Sequence, residues 1–250
     1  MSAALHALDD TETDAALVAA AFALAGEVGW MRVSVAEAAR RAGVKLVRAR
    51  QRFGGVRSML ARFGRIADVA SMAGVPEASA APDAAETPRP GPRDLLFDIL
   101  MRRIDVLQAH RQGMLALLRV LPFNPPLAAM LAGSSLRSMQ WMLEAAGVDA
   151  TGPRGLLRAE GLLAVWLWTV RAWKGDESED LSATMSALDK ALDRAEQAEM
   201  WLGRRGAPMA TEVDATMAED DAVPVQKMLT ADLPRSAPPP PSDAPASPPA

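Results

Sequence analysis

Residues 33–53 read Val33-Ser34-Val35-Ala36-Glu37-Ala38-Ala39-Arg40-Arg41-Ala42-Gly43-Val44-Lys45-Leu46-Val47-Arg48-Ala49-Arg50-Gln51-Arg52-Phe53. The spacing divides them into helix, tight turn, helix. Ser34 is a good N-cap, and Glu37 stands three residues on, the capping-box interval. Val35, Ala38 and Ala39 give the first helix one small apolar face. Gly43 supplies the positive φ that a sharp turn needs, and Val44 plugs the angle between the helices. The second helix turns Leu46, Ala49 and Phe53 to one side and shows Lys45, Arg48, Arg50 and Arg52 on the other. A short helix with a basic outer face, held by a preceding helix and a glycine turn, suits a DNA major groove.

Charge segregation points the same way. Between Met31 and Ile66 the basic residues are Arg32, Arg40, Arg41, Lys45, Arg48, Arg50, Arg52, Arg57, Arg62 and Arg65, against Glu37 alone. That segment is +9 in a chain of net charge -4, so the remainder sums to -13. A head of one sign on a body of the other is the electrostatic footprint of phosphate binding.

The stretch from Asp14 to Ile66 resembles the DNA-binding head of TetR-family transcriptional regulators. Those heads open with Ala-Ala-x-x-x-Phe-Ala-x-x-Gly, and here Ala15 to Trp30 includes Phe22, Ala23 and Gly26. Ser34, Ala42-Gly43-Val44 and the closing Phe53 match the family's second and third helices, and Met59-Leu60 can serve as the hydrophobic pair of helix four. The usual Ser opening helix three is Lys45, its usual aromatic is Arg50, and Arg52 stands where His or Tyr is common. Gly55-Val56 replaces the Ser-Lys that opens helix four, and Arg57 can substitute for the missing lysine. The resemblance implies an all-α, TetR-like fold: a three-helix DNA-binding head plus a C-terminal helical bundle. It implies double-stranded DNA as partner. Lys45, Arg48 and Arg50 would face the groove, Arg41, Arg52 and Arg57 would hold phosphates, and Ser34 joins this DNA-binding set.

Around the head the chain divides into a flexible leader (1–13), a helix-turn-helix DNA-binding domain (14–73), a linker (74–92), a helical ligand-binding and dimerisation domain (93–202) and a disordered tail (203–250). Thr13 or Asp14 caps helix one, whose Leu17, Ala20, Ala21, Leu24 and Val28 face the core. Helix four runs from about Val56 to Met72, with Met59, Leu60, Phe63, Ile66 and Val69 inward. Five prolines between Pro76 and Pro92 mark the linker. In the body, helices follow from the apolar spacing at Asp94–Leu107, Gly113–Leu121, Leu127–Ala132, Ser134–Ala146, Leu156–Trp173 and Leu181–Leu202. The fifth of these is apolar nearly all round, and the last keeps a coiled-coil-like seam through Leu181, Met185, Leu188, Leu192 and Ala195. These two are read as a homodimer interface, with intrachain packing the alternative. The tail is acidic, then proline-rich, and lacks the apolar surface to fold. Val223–Leu229 interrupts it briefly.

Composition narrows the function further. Half of the 250 residues are hydrophobic, enough for a sizeable core. With no cysteine there is no disulfide, thiol nucleophile or Cys-based metal site. No uninterrupted apolar run reaches the ~18 residues of a spanning helix. The first fourteen residues lack a basic start and carry Asp9, Asp10, Glu12 and Asp14, unlike a secretory leader. A cytoplasmic location is expected. No nucleophile elbow, Walker loop, dinucleotide fingerprint or His-Glu-x-x-His pair occurs. His110 reads as a bend residue, and Asp176, Glu177, Glu179 and Asp180 as solvated capping charges on a loop. An enzyme is the least supported reading, and neither cofactor nor metal is expected.

A second resemblance covers about Asp94 to Ala195. Trp141-Met142-Leu143-Glu144-Ala145-Ala146-Gly147-Val148-Asp149, then Trp173-Lys174-Gly175-Asp176-Glu177-Ser178-Glu179-Asp180 with Thr184-Met185 and Leu188-Asp189, is similar to the C-terminal part of coenzyme Q biosynthesis protein nine. That resemblance implies a lipid-binding accessory protein of ubiquinone biosynthesis with a TetR-like fold, whose head would touch a membrane surface. Both resemblances imply a small apolar ligand or lipid in the body. Met114, Leu118, Met139, Trp141, Met142, Trp166 and Trp168 are the candidate pocket residues, since methionine and tryptophan line adaptable apolar pockets; plain core packing is the alternative for each.

Overall fold

In the computed structural model, residues 2–75 and 90–206 are described here. They form nine α-helices and two short 3-10 turns, with no strand among the described residues. The head holds α1 (Ser2–Val28), α2 (Val35–Ala42), α3 (Leu46–Arg52) and α4 (Val56–Met72); Trp30–Arg32 forms a 3-10 turn between α1 and α2. The body holds α5 (Pro92–Ala109), α6 (Arg111–Val120), α7 (Pro125–Ala145), α8 (Gly152–Gly175) and α9 (Ser182–Gly206). The 74–92 linker lies largely outside the described residues, and the tail from 207, with Val223–Leu229, lies wholly outside them.

Several expected boundaries move. Helix one does not begin at a cap near Thr13 or Asp14; its backbone is helical from Ser2, through most of the expected leader. Thr13 and Asp14 are buried within it, and Asp14 is spent on ion pairs with the head. The two helices expected at 127–132 and 134–146 are one, because Gly133 sits where helical backbone needs nothing from it. Asn124 caps it, accepting the Leu127 amide at 3.2 Å, and paired prolines fill its first turn, where no amide is needed. In α4 the buried residues are Met59, Leu60, Phe63, Ala67 and Ser71, while Val69 is exposed. A period near 3.6 carries the inward stripe to Ala67 and puts Val69 on the opposite side.

Head and body join through side chains, not only through the chain. Phe22 of α1 and Phe63 of α4 pack with their ring centroids 4.3 Å apart, and the His110 ring lies 5.4 and 5.6 Å from them. Trp30 meets Phe22 edge-on at 4.9 Å and donates its indole N–H to the Gly113 carbonyl of α6. Deeper in, Asp68 of α4 receives the Arg103 guanidinium of α5 and, at 2.7 Å, the Ser138 hydroxyl of α7. The Arg103 guanidinium also sits 5.1 Å over the Trp166 ring of α8. Charge inside a core is tolerated when it is paired, as this one is through Arg103 Nη1, while the buried Arg103 Nε has no hydrogen-bond partner among the described residues. These contacts give the body a physical route to the head that bypasses the 74–92 segment.

The seam on α9 is an intrachain one. Leu181, Leu188 and Leu192 are buried, and α9 packs along α8 and against α5. The apolar stripe that suggested a dimer is thus covered by the same chain. Exposed apolar side chains remain on α8, where Leu157, Leu167 and Trp168 are each more than half exposed, and near the end of α9, at Met200 and Trp201. Of the carboxylates before α9, Glu177, Glu179 and Asp180 are exposed as expected, and Asp180 accepts the Ser182 amide, but Asp176 is not solvated. Asp176 is buried and accepts hydrogen bonds from the hydroxyls and amides of Ser178 and Thr184, which hold its carboxyl well below the usual carboxylate range. Across from it, Arg111 donates to the Trp173, Lys174 and Asp176 carbonyls at the C-terminal end of α8.

Candidate nucleic-acid interface

The helix-turn-helix forms from local signals. The Glu37 amide donates to the Ser34 hydroxyl oxygen at 3.2 Å, which starts α2. Gly43 takes the left-handed conformation, φ 68°, and the Gly43 and Val44 amides donate back to the Arg40 and Ala39 carbonyls. That pair of bonds is a Schellman ending, and a side chain at Gly43 would be strained there. The chain then enters α3 at Lys45. Within α3 only Ala49 is buried, followed by Phe53 just beyond its end.

A helix this short, with so little apolar anchorage, is held by charge. Arg52 grips Asp14 with two hydrogen bonds, Nε to Oδ1 at 2.8 Å and Nη2 to Oδ2 at 2.7 Å, and reaches Asp10 at 3.0 Å. Arg48 donates to Asp10 at 3.1 Å, and Arg62 of α4 pairs with Asp14 at 3.0 Å. Asp14 is only 2% exposed. Arg41 of α2 makes a two-bond pair with Glu27, at 2.7 and 2.6 Å, which lowers the Glu27 carboxyl from its ordinary range. The extended α1 therefore brings three carboxylates to a head whose 31–66 segment holds Glu37 alone.

The seven expected DNA-contacting residues divide accordingly. Lys45, Arg50 and Arg57 are exposed, Arg50 also donating to the Gly54 carbonyl at 3.2 Å. Arg41, Arg48 and Arg52 face carboxylates of α1, and Ser34 is occupied as the α2 cap. Arg32 and Arg65 add to the exposed cations. Leu46, expected inward with Ala49, is 52% exposed, and its neighbour Val47 is 70% exposed. Spacing alone does not show this, since Leu46 stands three residues before Ala49 and seven before Phe53, on the same side of a helical wheel.

The expected pocket does not assemble. Met114, Met139, Met142 and Trp166 are buried core, Leu118 is partly buried, and Trp141 and Trp168 lie on the surface. Helical spacing alone could not tell the face of each helix that meets a neighbour from the face that does not. The apolar cavity lies elsewhere, a groove of about 450 Å³ among α5, α7, α8 and α9, with walls that include Leu96, Leu143, Leu157, Leu162 and Leu192. Arg93, Arg154 and Arg158 stand on its rim with Glu196 and Glu199. Arg93 is held by Asp189 and Asp193, and Arg158 by Glu199. None of the seven expected residues lines it. No group of three or more potential metal ligands occurs among the described residues, and no single described helix is long and apolar enough to cross a membrane.

A TetR transcriptional regulator from Nitrosomonas europaea superposes on this chain with a TM-score of 0.58, covering 74% of this chain and 99% of that one at 21% identity. The chain has the TetR-regulator fold. A transcriptional regulator from Rhodococcus sp. Rha1 gives a TM-score of 0.49 at 22% identity, covering 74% of this chain and 96% of that one. No protein-family model matches the chain, and no curated protein matches it. In TetR-fold terms, α1 to α4 are the helix-turn-helix head and α5 to α9 the body.

Proposed function

We propose that this chain is a TetR-like, DNA-binding transcriptional regulator, acting as a homodimer and responding to a small apolar ligand. The observation that carries the reading is the head. A capped helix, a Schellman turn at Gly43 and the short helix α3 stand among the exposed cations Arg32, Lys45, Arg50, Arg57 and Arg65. Phosphate contacts fix register on a duplex, and a second helix of this kind reads base edges. Lys45, Arg50 and Arg57 are the cations assigned to DNA. Arg41, Arg48 and Arg52 are assigned to holding α2 and α3 on α1.

The dimer is assigned to the uncovered apolar face of α8, where Leu157, Gly161, Ala164 and Trp168 follow one another at helical spacing and are all exposed. An exposed apolar patch of this kind marks an interface. Two heads would then meet half-sites about one DNA turn apart, roughly 34–36 Å. The ligand is assigned to the 450 Å³ groove, within the size range of small-molecule pockets.

The test is selection of bound sites from a random duplex pool at near-physiological salt. An enriched palindrome bound ~10³-fold above a scrambled duplex supports the regulator. No enriched site, with a steep salt slope, would show only phosphate attraction and overturn it. The same apolar groove favours a second reading, a lipid-binding accessory protein of ubiquinone biosynthesis. Co-purified isoprenoid or phospholipid combined with no selected DNA site supports that one.

A further inference from the structure

The outermost ridge of the recognition helix is uncharged. Ala49 and Phe53 mark the inward side of α3, one buried in the helix and the other just past its end. At about 3.6 residues per turn, Val47 and Gln51 fall diametrically opposite, roughly 160° and 200° round from Ala49. Both are exposed, Val47 at 70%. They are four residues apart, so their side chains stand one above the other on the same face. Arg48 and Arg52 lie on one flank, turned to Asp10 and Asp14, and Arg50 lies on the other. The pole that reaches farthest from the head is therefore an apolar side chain followed by an amide.

Nothing within the described fold uses either residue. Val47 covers no core, and Gln51 has no hydrogen-bond partner among the described residues. In a major groove the two chemistries have specific complements. A branched apolar side chain packs on the thymine C5-methyl, and a glutamine amide bonds adenine N6 and N7 together. Arginine, by contrast, reads guanine O6 and N7.

We propose that Val47 and Gln51 are the base-reading pair of this head, taking a thymine methyl and an adjacent adenine, so that its half-site is specified by A·T pairs at its centre. Lys45, Arg50 and Arg57 set affinity and register on the phosphates. This rests on the regulator reading above.

The experiment uses the full-length chain. A site is first selected from random duplex. Each thymine of its half-site is then replaced by deoxyuridine, which removes only the methyl, and each adenine by 7-deaza-adenine, which removes only the N7 acceptor. At one thymine the wild-type chain loses about fourfold in affinity, the worth of one methyl group. Val47→Ala binds the thymine and deoxyuridine duplexes equally. At one adenine the 7-deaza change costs wild type roughly fivefold or more, and Gln51→Ala is indifferent to it. Both substitutions lie at exposed positions, and helical circular dichroism confirms that each variant is folded. An enriched site that tolerates every deoxyuridine and every 7-deaza-adenine overturns the Val47–Gln51 assignment and leaves the regulator standing. Failure to enrich any site overturns the regulator and this pair with it.

Discussion

The Trp30 indole N–H donates to the Gly113 carbonyl at 2.8 Å, across 83 residues of sequence. It is a buried bond between the turn that follows α1 and the first turns of α6. Gly113 lies so close to α1 that a Cβ there would come within 2.3 Å of the Phe22 carbonyl oxygen. The joint thus depends on a glycine for proximity and on an indole for direction. Gly113→Ala should push α6 off α1 and cost about 1–3 kcal/mol. Trp30→Phe keeps most of the bulk, deprives the carbonyl of this donor and should cost about 1 kcal/mol. Denaturant unfolding of both variants measures this. Equal small losses would show that Gly113 is not tightly packed.

Asp14 organises the head more than any arginine does. Its buried carboxylate accepts from Arg52 on α3 and Arg62 on α4, so its removal leaves two guanidinium groups facing each other. Both arginines keep about a third of their surface in water, 27% and 32%, which screens the loss. Asp14→Asn should cost about 1–3 kcal/mol, a loss that grows at low salt, where the two cations repel more strongly. Amide exchange should show α3 opening before α2 or α4, since Ala49 is its one buried residue. Uniform protection across the head in Asp14→Asn would contradict the clamp.

His110 sets a pH dependence. Burial against Phe22 and Phe63 lowers its pKa from the ordinary 6.5, because the charged form is poorly solvated there. Above pH 6.5 both folded and unfolded chains hold the ring neutral, and its stabilising contribution is fully present. As pH falls below 6.5 the unfolded chain takes up the proton first, and stability drops until the lowered folded pKa is passed. Unfolding free energy should therefore decline as pH falls below about 6.5, before the carboxylates begin to titrate. His110→Gln should flatten that slope. An unchanged slope would place its origin elsewhere.

Local chemistry made the head readable. Ser34, Glu37 and Gly43 act on neighbours within five residues, and their roles in the structure are those their types dictate. What was not legible came from distance. No spacing within 31–66 reveals that Arg48 and Arg52 meet Asp10 and Asp14 across some forty positions, so a solvated basic face looked more basic than it is. The α9 seam was legible as apolar but not as to its partner, which proved to be α8 and α5 of the same chain. Trp141 and Trp168 are of the types that line pockets, yet the large apolar residues of the groove are leucines, whose position depends on how four helices cross.

The α8 face offers a direct test of assembly. Leu157 and Trp168 are 52% and 51% exposed in the single chain, so about half of each side chain is free to meet a partner; Leu157 also walls the apolar groove, and Trp168 does not. If this face closes the dimer, Leu157→Glu or Trp168→Glu places a carboxylate in an apolar interface at a cost of several kcal/mol. Sedimentation should then report a monomer with wild-type helicity. Dimers that persist in both variants would move the interface off α8.

Asp68 and Arg103 make the link on which any message from body to head would depend. Arg103 lies on α5 two turns beyond Leu96, a wall of the apolar groove, and Trp166 lies one turn beyond Leu162, another wall. A ligand that spreads these helices therefore displaces the guanidinium that holds α4, and coupling of this kind requires such a contiguous two-state contact. The pair is nearly dry, with 7% of the Arg103 side chain and 19% of the Asp68 side chain exposed. Arg103→Met leaves a buried carboxylate with the Ser138 hydroxyl as its remaining side-chain donor, and should cost about 3 kcal/mol or more. Asp68→Leu, which strands the guanidinium, should cost a similar amount. The double variant loses both charges together and should recover much of either loss, giving an interaction energy above about 1 kcal/mol in the mutant cycle. Strictly additive losses would mean that α4 is held by its apolar stripe alone, and that a ligand in the groove has no lever on the head through this pair.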